Sequence, residues 1–284
     1  VPGGAVTLDA SASSQLVSGL LLAAPRYDKG AEIRHHGARI PSAPHIAMTV
    51  AMLRAAGAEL ETDSRHRDGT GERGSVPDVW RVYPAAALAP DQIEVEPDLS
   101  NAGPFLAAAL VTGGRVTIPG WPASSLQPSD QILDVLSRMG ADCVPVADGM
   151  QVTGSGRIRG IRADLRDVSE LAPVLAALAA LADSPSQLSG IGHMRGHECD
   201  RLAALAAEIG ALGGDVTELP DGLAVRPRPL HGGQFDSHDD HRLVMTAAVL
   251  GLAVPGILVR GAATVGKTFP GFPGLWAQML EHAP

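Results

Sequence analysis

Apolar and polar positions along this chain switch between two periods, alternation typical of strands and the three-to-four spacing of helices. The switch recurs about four times in the same order. A short strand ending in Asp or Glu leads into a helix of small apolar residues. A Val/Ile-rich strand follows, then a second helix stopped at a glycine-containing turn, then a closing strand. The first copy predicts strand 5–9, helix 13–24, strand 32–36, helix 45–56 stopped by Gly57, a polar aperiodic hairpin loop over 63–78, and strand 79–83. The second predicts strand 92–98, helix 102–111, strand 115–118 and helix 129–139, entered through Pro-Ser-Asp and ended by Gly140. The third predicts strand 160–164, helix 168–181, helix 202–212 and strand 223–225. The fourth has 237–240, helix 241–251, strand 256–260 and helix 271–281.

Helices 102–111 and 171–181 are apolar nearly all round, the mark of a buried helix. Buried helices beneath mixed sheets place the chain in the α/β (α+β) class, with the sheets outside. A boundary falls near 85–90. The fourth copy has no closing strand, and an open sheet edge is costly, so a segment outside these residues is expected to supply it. The opening Val1-Pro2-Gly3-Gly4 reads as mid-chain loop.

Composition narrows the function. The chain has 284 residues and a formal net charge of -9, with no basic tract, which argues against a nucleic-acid partner. An acidic chain that binds an anion must do so through a local basic pocket. Lys29 and Lys267 are the only lysines among 22 basic residues. Cys143 and Cys199 show neither disulfide nor zinc spacing and suit a reducing compartment. No apolar run is long enough to span a membrane. A cytoplasmic location is expected.

The densest chemistry lies in Gly192-His193-Met194-Arg195-Gly196-His197-Glu198-Cys199-Asp200-Arg201, which runs into an amphipathic helix. His193 and His197 beside Glu198 could bind a metal if His238 and His241 came close, a metallohydrolase reading. Gly196 and the two nearby arginines argue against it. Elsewhere Glu170 opens an apolar helix, as an N-terminal carboxylate or as a base. Arg242 stands in the first turn of a helix, where a cation needs an anionic neighbour such as Asp239 or Asp240. Ser13-Ser14-Gln15 and Pro41-Ser42-Ala43-Pro44 read either as helix caps or as anion donors. Lys267 sits among small neighbours without Walker A spacing.

Together and in this order, Ser13-Ser14-Gln15, the Pro-Ser-x-Pro turn at 41–44, Glu170, the His-Glu-x-Asp-Arg run at 197–201, Asp-His-Arg at 240–242 and Lys-Thr-Phe-Pro at 267–270 resemble the 5-enolpyruvylshikimate-3-phosphate synthase family. The resemblance covers essentially the whole chain. It implies the two-domain enolpyruvyl transferase fold of repeated βαβαββ units, six in the family against four here. Residues 1–89 then correspond to the last unit of one domain and 90–284 to a three-unit second domain missing its closing strand, so that the family's N-terminal third is lacking.

The resemblance also implies a reaction between shikimate 3-phosphate and phosphoenolpyruvate in aromatic amino acid biosynthesis. It implies no cofactor and no metal, a monomer once the N-terminal segment is included, and the target of glyphosate. By resemblance Ser13, Ser14, Gln15 and Ser42 hold shikimate 3-phosphate. Glu170 binds ring hydroxyls and accepts the proton, and Glu198 donates or relays one near the methylene. Arg201, Arg242 and Lys267 grip phosphoenolpyruvate while Asp240 orients its neighbours. His193 and His197 complete the site where many members carry Asn and Lys, and His45 stands where many carry Tyr. A histidine in place of a permanent cation makes anion binding sensitive to pH. A degenerate chain that binds anions without turnover is the alternative.

Overall fold

A computed structural model describes residues 1–64, 77–89 and 92–281. The chain divides into two compact units, Val1–Val95 and Glu96–Pro284. Most of the loop expected over 63–78 lies outside the described residues.

In the first unit, β1 (Gly4–Leu8) runs parallel to β2 (Ala31–His35). β4 (Val79–Val82) pairs antiparallel with β2 and with β3 (Leu60–Asp63), giving the order β1-β2-β4-β3. Helices α1 (Gln15–Ala23) and α2 (Ala43–Ala55) pack together, with a hydrogen bond from Thr49 to Ser18 of 3.1 Å. Ile33, Trp80, Val17 and Leu21 fill the core.

The second unit repeats this plan three times with different completeness. One copy is whole: β8 (Arg162–Asp164), β9 (Ser186–Ser189), β11 (Gly222–Arg226) and β10 (Asp215–Leu219) follow the same order and the same parallel and antiparallel senses. Another is a three-stranded sheet of β5 (Arg115–Pro119), β7 (Gly149–Thr153) and β6 (Asp142–Val146). The last is the parallel pair β12 (Gly233–Asp236) and β13 (Ile257–Arg260).

Helices α3 (Leu99–Thr112), α5 (Ala172–Ala180) and α7 (His241–Gly251) pack against one another as an inner layer. Every residue of α5 is buried, so the apolar run is core all round. Each Leu sealed there is worth about 1.5–3 kcal/mol. Gly103 lets α3 approach closely, because a Cβ at that position would meet the Leu171 side chain at 2.7 Å. Helices α4 (Ser129–Met139), α6 (Arg201–Ala211) and α8 (Phe272–Glu281) carry polar faces. Left-handed Gly140 ends α4, as its place in the sequence predicts.

Four expectations need correction. Residues 92–98 contain no strand among those described. Ile93 and Val95 are exposed, and Glu96 instead accepts hydrogen bonds from Ser125 and Gln127. The helix expected from 168 starts as a 3-10 turn, Ser169–Leu171, before α5. The strand expected at 237–240 lies earlier, at β12, and residues 237–239 form a turn. Two hairpin arms, β6 and β10, pair with β7 and β11 across turns ending in Asp148-Gly149 and Asp221-Gly222.

Candidate active site

Three helix starts meet in the second unit. The 3-10 turn before α5 carries Glu170. A second 3-10 turn (Gly192–Gly196) and the start of α6 carry His193, His197, Glu198 and Arg201. The start of α7 carries Asp240 and Arg242. Local capping sets each element. Asp200 accepts the Ala203 amide at 3.0 Å, and Asp240 accepts the Arg242 amide at 2.8 Å. Arg195 holds the loop in place by donating to Asp200, Glu218 and the Leu219 carbonyl.

Arg201 is the centre of the group and only 1 % exposed. Its Nε meets Asp240 Oδ2 at 2.6 Å, and its Nη2 donates to Glu198 Oε2 at 2.6 Å and Asp240 Oδ1 at 3.3 Å. Its Nη1 donates to Glu170 Oε2 at 3.2 Å and His197 Nδ1 at 3.0 Å. All five guanidinium N–H groups therefore have an acceptor. Burial pulls the Arg201 pKa down, but the Asp240 bond and the three carboxylates outweigh it and raise it. Burial alone would raise Asp240; the Arg201 hydrogen bond and charge hold it below the usual carboxylate range.

Arg242, also buried, donates from Nη2 to Ser100 Oγ at 3.0 Å. Its Nε lies 2.6 Å from Glu170 Oε2. The N–H does not aim at that oxygen, so the contact is an ion pair and not a hydrogen bond. Glu170 thus lies between two guanidiniums, which face three carboxylates in all.

Because Arg201 donates to Nδ1, His197 carries its ring proton on Nε2 and is neutral. Burial pushes its pKa down. The ring meets His193 edge to face, with centroids 5.5 Å apart, and His193 Nε2 lies 3.2 Å from Ser169 Oγ. Burial, and then the neighbouring His197, lowers the His193 pKa from 6.5 to about 4.

The unfolded chain consequently binds a proton near pH 6.5 that the folded chain refuses until about pH 4. Stability falls as pH drops through that window. Between pH 7 and 5, wild type should lose about 2 kcal/mol more than His193→Asn, which keeps a polar group for Ser169 and removes the titration. Urea midpoints at the two pH values test this, and parallel losses would refute it.

Burial leaves His241 Nδ1 without a hydrogen bond, 3.7 Å from Asp240 Oδ1, and lowers the ring's pKa. Cys199 Sγ lies 3.7 Å from Asp240, and burial and then that charge push its thiol up to about 11. His238 pairs with Glu208, apart from His193 and His197. Among the described residues no three His, Cys, Asp or Glu side chains are arranged to hold a metal.

The other expected site residues lie outside this contact network. Lys267 ends a 3-10 helix (Ala262–Lys267) that packs on α7; it is exposed and forms no ion pair with the described residues. In the first unit, Ser13 and Ser14 stand at the start of α1. The Ser14 side chain is buried and makes no capping hydrogen bond, and Gln15 is exposed. Ser42 is buried at the start of α2 in a left-handed conformation, φ 52°. His45, in the first turn of α2, is also exposed.

Sequence reading missed Ser100 and Glu208. The available signals were a hydroxyl in the first turn of an apolar helix and a lone carboxylate in an Ala-rich helix seven residues after Arg201.

A family model for EPSP synthase (3-phosphoshikimate 1-carboxyvinyltransferase) matches residues 1–276. A 3-phosphoshikimate 1-carboxyvinyltransferase of Kocuria rhizophila is 51% identical over 282 residues, covering 99% of this chain and 60% of that protein. The chain therefore spans about 60% of the length of this curated relative. Among solved structures, an EPSP synthase from Acinetobacter baumannii is similar with a TM-score of 0.74 and 25% identity, over 97% of this chain and 62% of that one. The enolpyruvyl transferase NikO from Streptomyces tendae shares the fold at 20% identity, with a TM-score of 0.69 over 98% of this chain and 64% of that one. No described helix is long and apolar enough to cross a membrane.

Proposed function

The chain belongs to the EPSP synthase family, and from that premise we propose that it transfers the enolpyruvyl group of phosphoenolpyruvate to the 5-hydroxyl of shikimate 3-phosphate. The hydroxyl oxygen bonds to the enol carbon as its proton leaves and the methylene gains one. A proton then leaves the new methyl group as the carbon–oxygen bond to phosphate breaks. The reaction needs a base, an acid and dense positive charge. One observation supports this reading most: Glu170 lies between Arg201 and Arg242, and Glu198 lies on the same guanidinium.

In this reading Glu170 accepts the hydroxyl proton and Glu198, with His197 beside it, serves the methylene. Arg201, Arg242 and Lys267 hold phosphoenolpyruvate, and Asp240 orients both arginines. Ser13, Ser14, Gln15 and Ser42 hold shikimate 3-phosphate, and His193 lines the site. The protein works without cofactor or metal, as a cytoplasmic monomer at the length of its relatives. Residues 1–89 act as one repeat unit and 90–284 as three.

The test is phosphate release from phosphoenolpyruvate by this chain and by the same chain extended with the part of the Kocuria relative that it does not match. Release that depends on shikimate 3-phosphate is expected from the extended chain. No release from either would sink the proposal. Within it, Lys267→Ala should weaken phosphoenolpyruvate binding about tenfold, as read by calorimetry. The unfolding midpoint should stay within about 0.5 kcal/mol of wild type, since an exposed lysine costs little to truncate.

A further inference from the structure

The turn between β12 and α7 holds two successive side-chain-bearing residues in the left-handed region, His238 at φ 49° and Asp239 at φ 57°. Such residues are strained there and persist only where their surroundings over-determine them. A glycine pair would give the same path freely. The presence of a histidine points to a use for its side chain.

That use is Glu208 on α6, whose side chain is 14% exposed. Its Oε1 lies 2.9 Å from His238 Nε2, and its Oε2 accepts the Asp236 amide at 2.8 Å. The turn is tied from inside as well. The Asp236 carboxylate accepts the His238 amide at 2.8 Å, the Ser237 carbonyl accepts the Asp240 amide at 2.8 Å, and Thr264 donates to the Asp239 carbonyl at 3.0 Å.

Arg201 and Glu208 are seven residues apart on α6, two turns along one face. Arg201 binds Asp240 on one side of the strained pair, and Glu208 binds Asp236 and His238 on the other. Asp240 follows the pair directly and caps the amide of Arg242.

We propose that Glu208 is a positioning residue for the anion-binding site, clamping the His238–Asp239 turn so that Asp240 and Arg242 stay fixed against Arg201 and Glu170. The inference rests on the functional reading above in naming phosphoenolpyruvate as the anion. Without the clamp the strained pair relaxes, and Arg242 presents its donors for only a fraction of the time. Apparent affinity drops by that fraction.

Two readouts test this on the full chain. Exchange of the Arg242 amide hydrogen, which Asp240 caps, needs no ligand. Glu208→Ala should accelerate it at least tenfold while amides in the middle of α6 keep their rates. Calorimetric titration with phosphoenolpyruvate should show a dissociation constant about tenfold weaker, as for a turn competent one tenth of the time. Glu208→Gln should restore both to within threefold, because its amide can accept from Asp236 and donate to a neutral His238. Asp239→Gly, which relieves strain without removing a side-chain contact of the cluster, should raise the melting temperature and still weaken binding.

A merely structural Glu208 would speed exchange evenly along α6 and leave the affinity of the folded fraction unchanged, and that result would overturn the proposal. If the unaltered protein binds no phosphoenolpyruvate, the functional reading falls and exchange alone decides the clamp. An unchanged Arg242 rate in Glu208→Ala then overturns it.

Discussion

Arg201→Ala should lower the unfolding free energy by about 3–5 kcal/mol and abolish phosphate release. Arg201 is 1% exposed and its principal partner Asp240 is fully buried. Taking the guanidinium away leaves that carboxylate without its cation, while Glu170 and Glu198 lose theirs on the same side. The dominant cost is the orphaned buried charge, since a buried pair taken whole adds little net stability. Asp240→Asn in the same background should therefore recover part of the loss, because the neutral amide still caps α7 and needs no counter-ion. Denaturant titrations with an unchanged slope measure both. A loss below 1 kcal/mol for the single variant would mean that the carboxylates are well solvated without Arg201.

Glu170→Gln tests the chemistry more than the architecture. Glutamine keeps the size of the side chain and an acceptor for Arg201, but it cannot take a proton. Removing a positioned general base costs typically about 100- to 10,000-fold in rate. Turnover of the extended chain should fall by that much while the dissociation constant for phosphoenolpyruvate changes less than about threefold, a loss confined to the transition state. A fall in turnover of less than tenfold would take the base role from Glu170. Equal losses in turnover and affinity would make it a binding residue instead.

How far these residues could be read in advance depends on what kind of force places them. Helices α4 and α7 begin and end where the sequence predicts, since their limits are set by local signals: polar residues at the entry and glycine at the end. The buried helices α3 and α5 were equally legible, because an all-apolar run of small residues has no other place to go. The strand expected over 92–98 fails for the opposite reason. Ile93 and Val95 alternate with carboxylates as a strand face would, yet alternation gives a surface and not the neighbour that must hydrogen-bond to it. Arg195 shows the same limit within the site. It belongs to the densest charged stretch of the chain, but long-range contacts with Glu218 and Leu219 bind it to the scaffold. Arg201, six residues on, is joined to Glu170 and Asp240, which stand 31 and 39 residues away. Nothing local distinguishes the two arginines.

The full set of acceptors around Arg201 also governs how fast a ligand can arrive. An incoming anion finds no vacant N–H on that guanidinium and can reach it only by exchange with Glu170, Glu198 or His197. With one more carboxylate than guanidinium in the cluster, no net attractive field guides the approach. Capture is then a two-step substitution limited by departure of a resident group, slower than a collision with an open basic patch. Salt screens little that matters to such a step, so the rate of capture varies weakly with ionic strength.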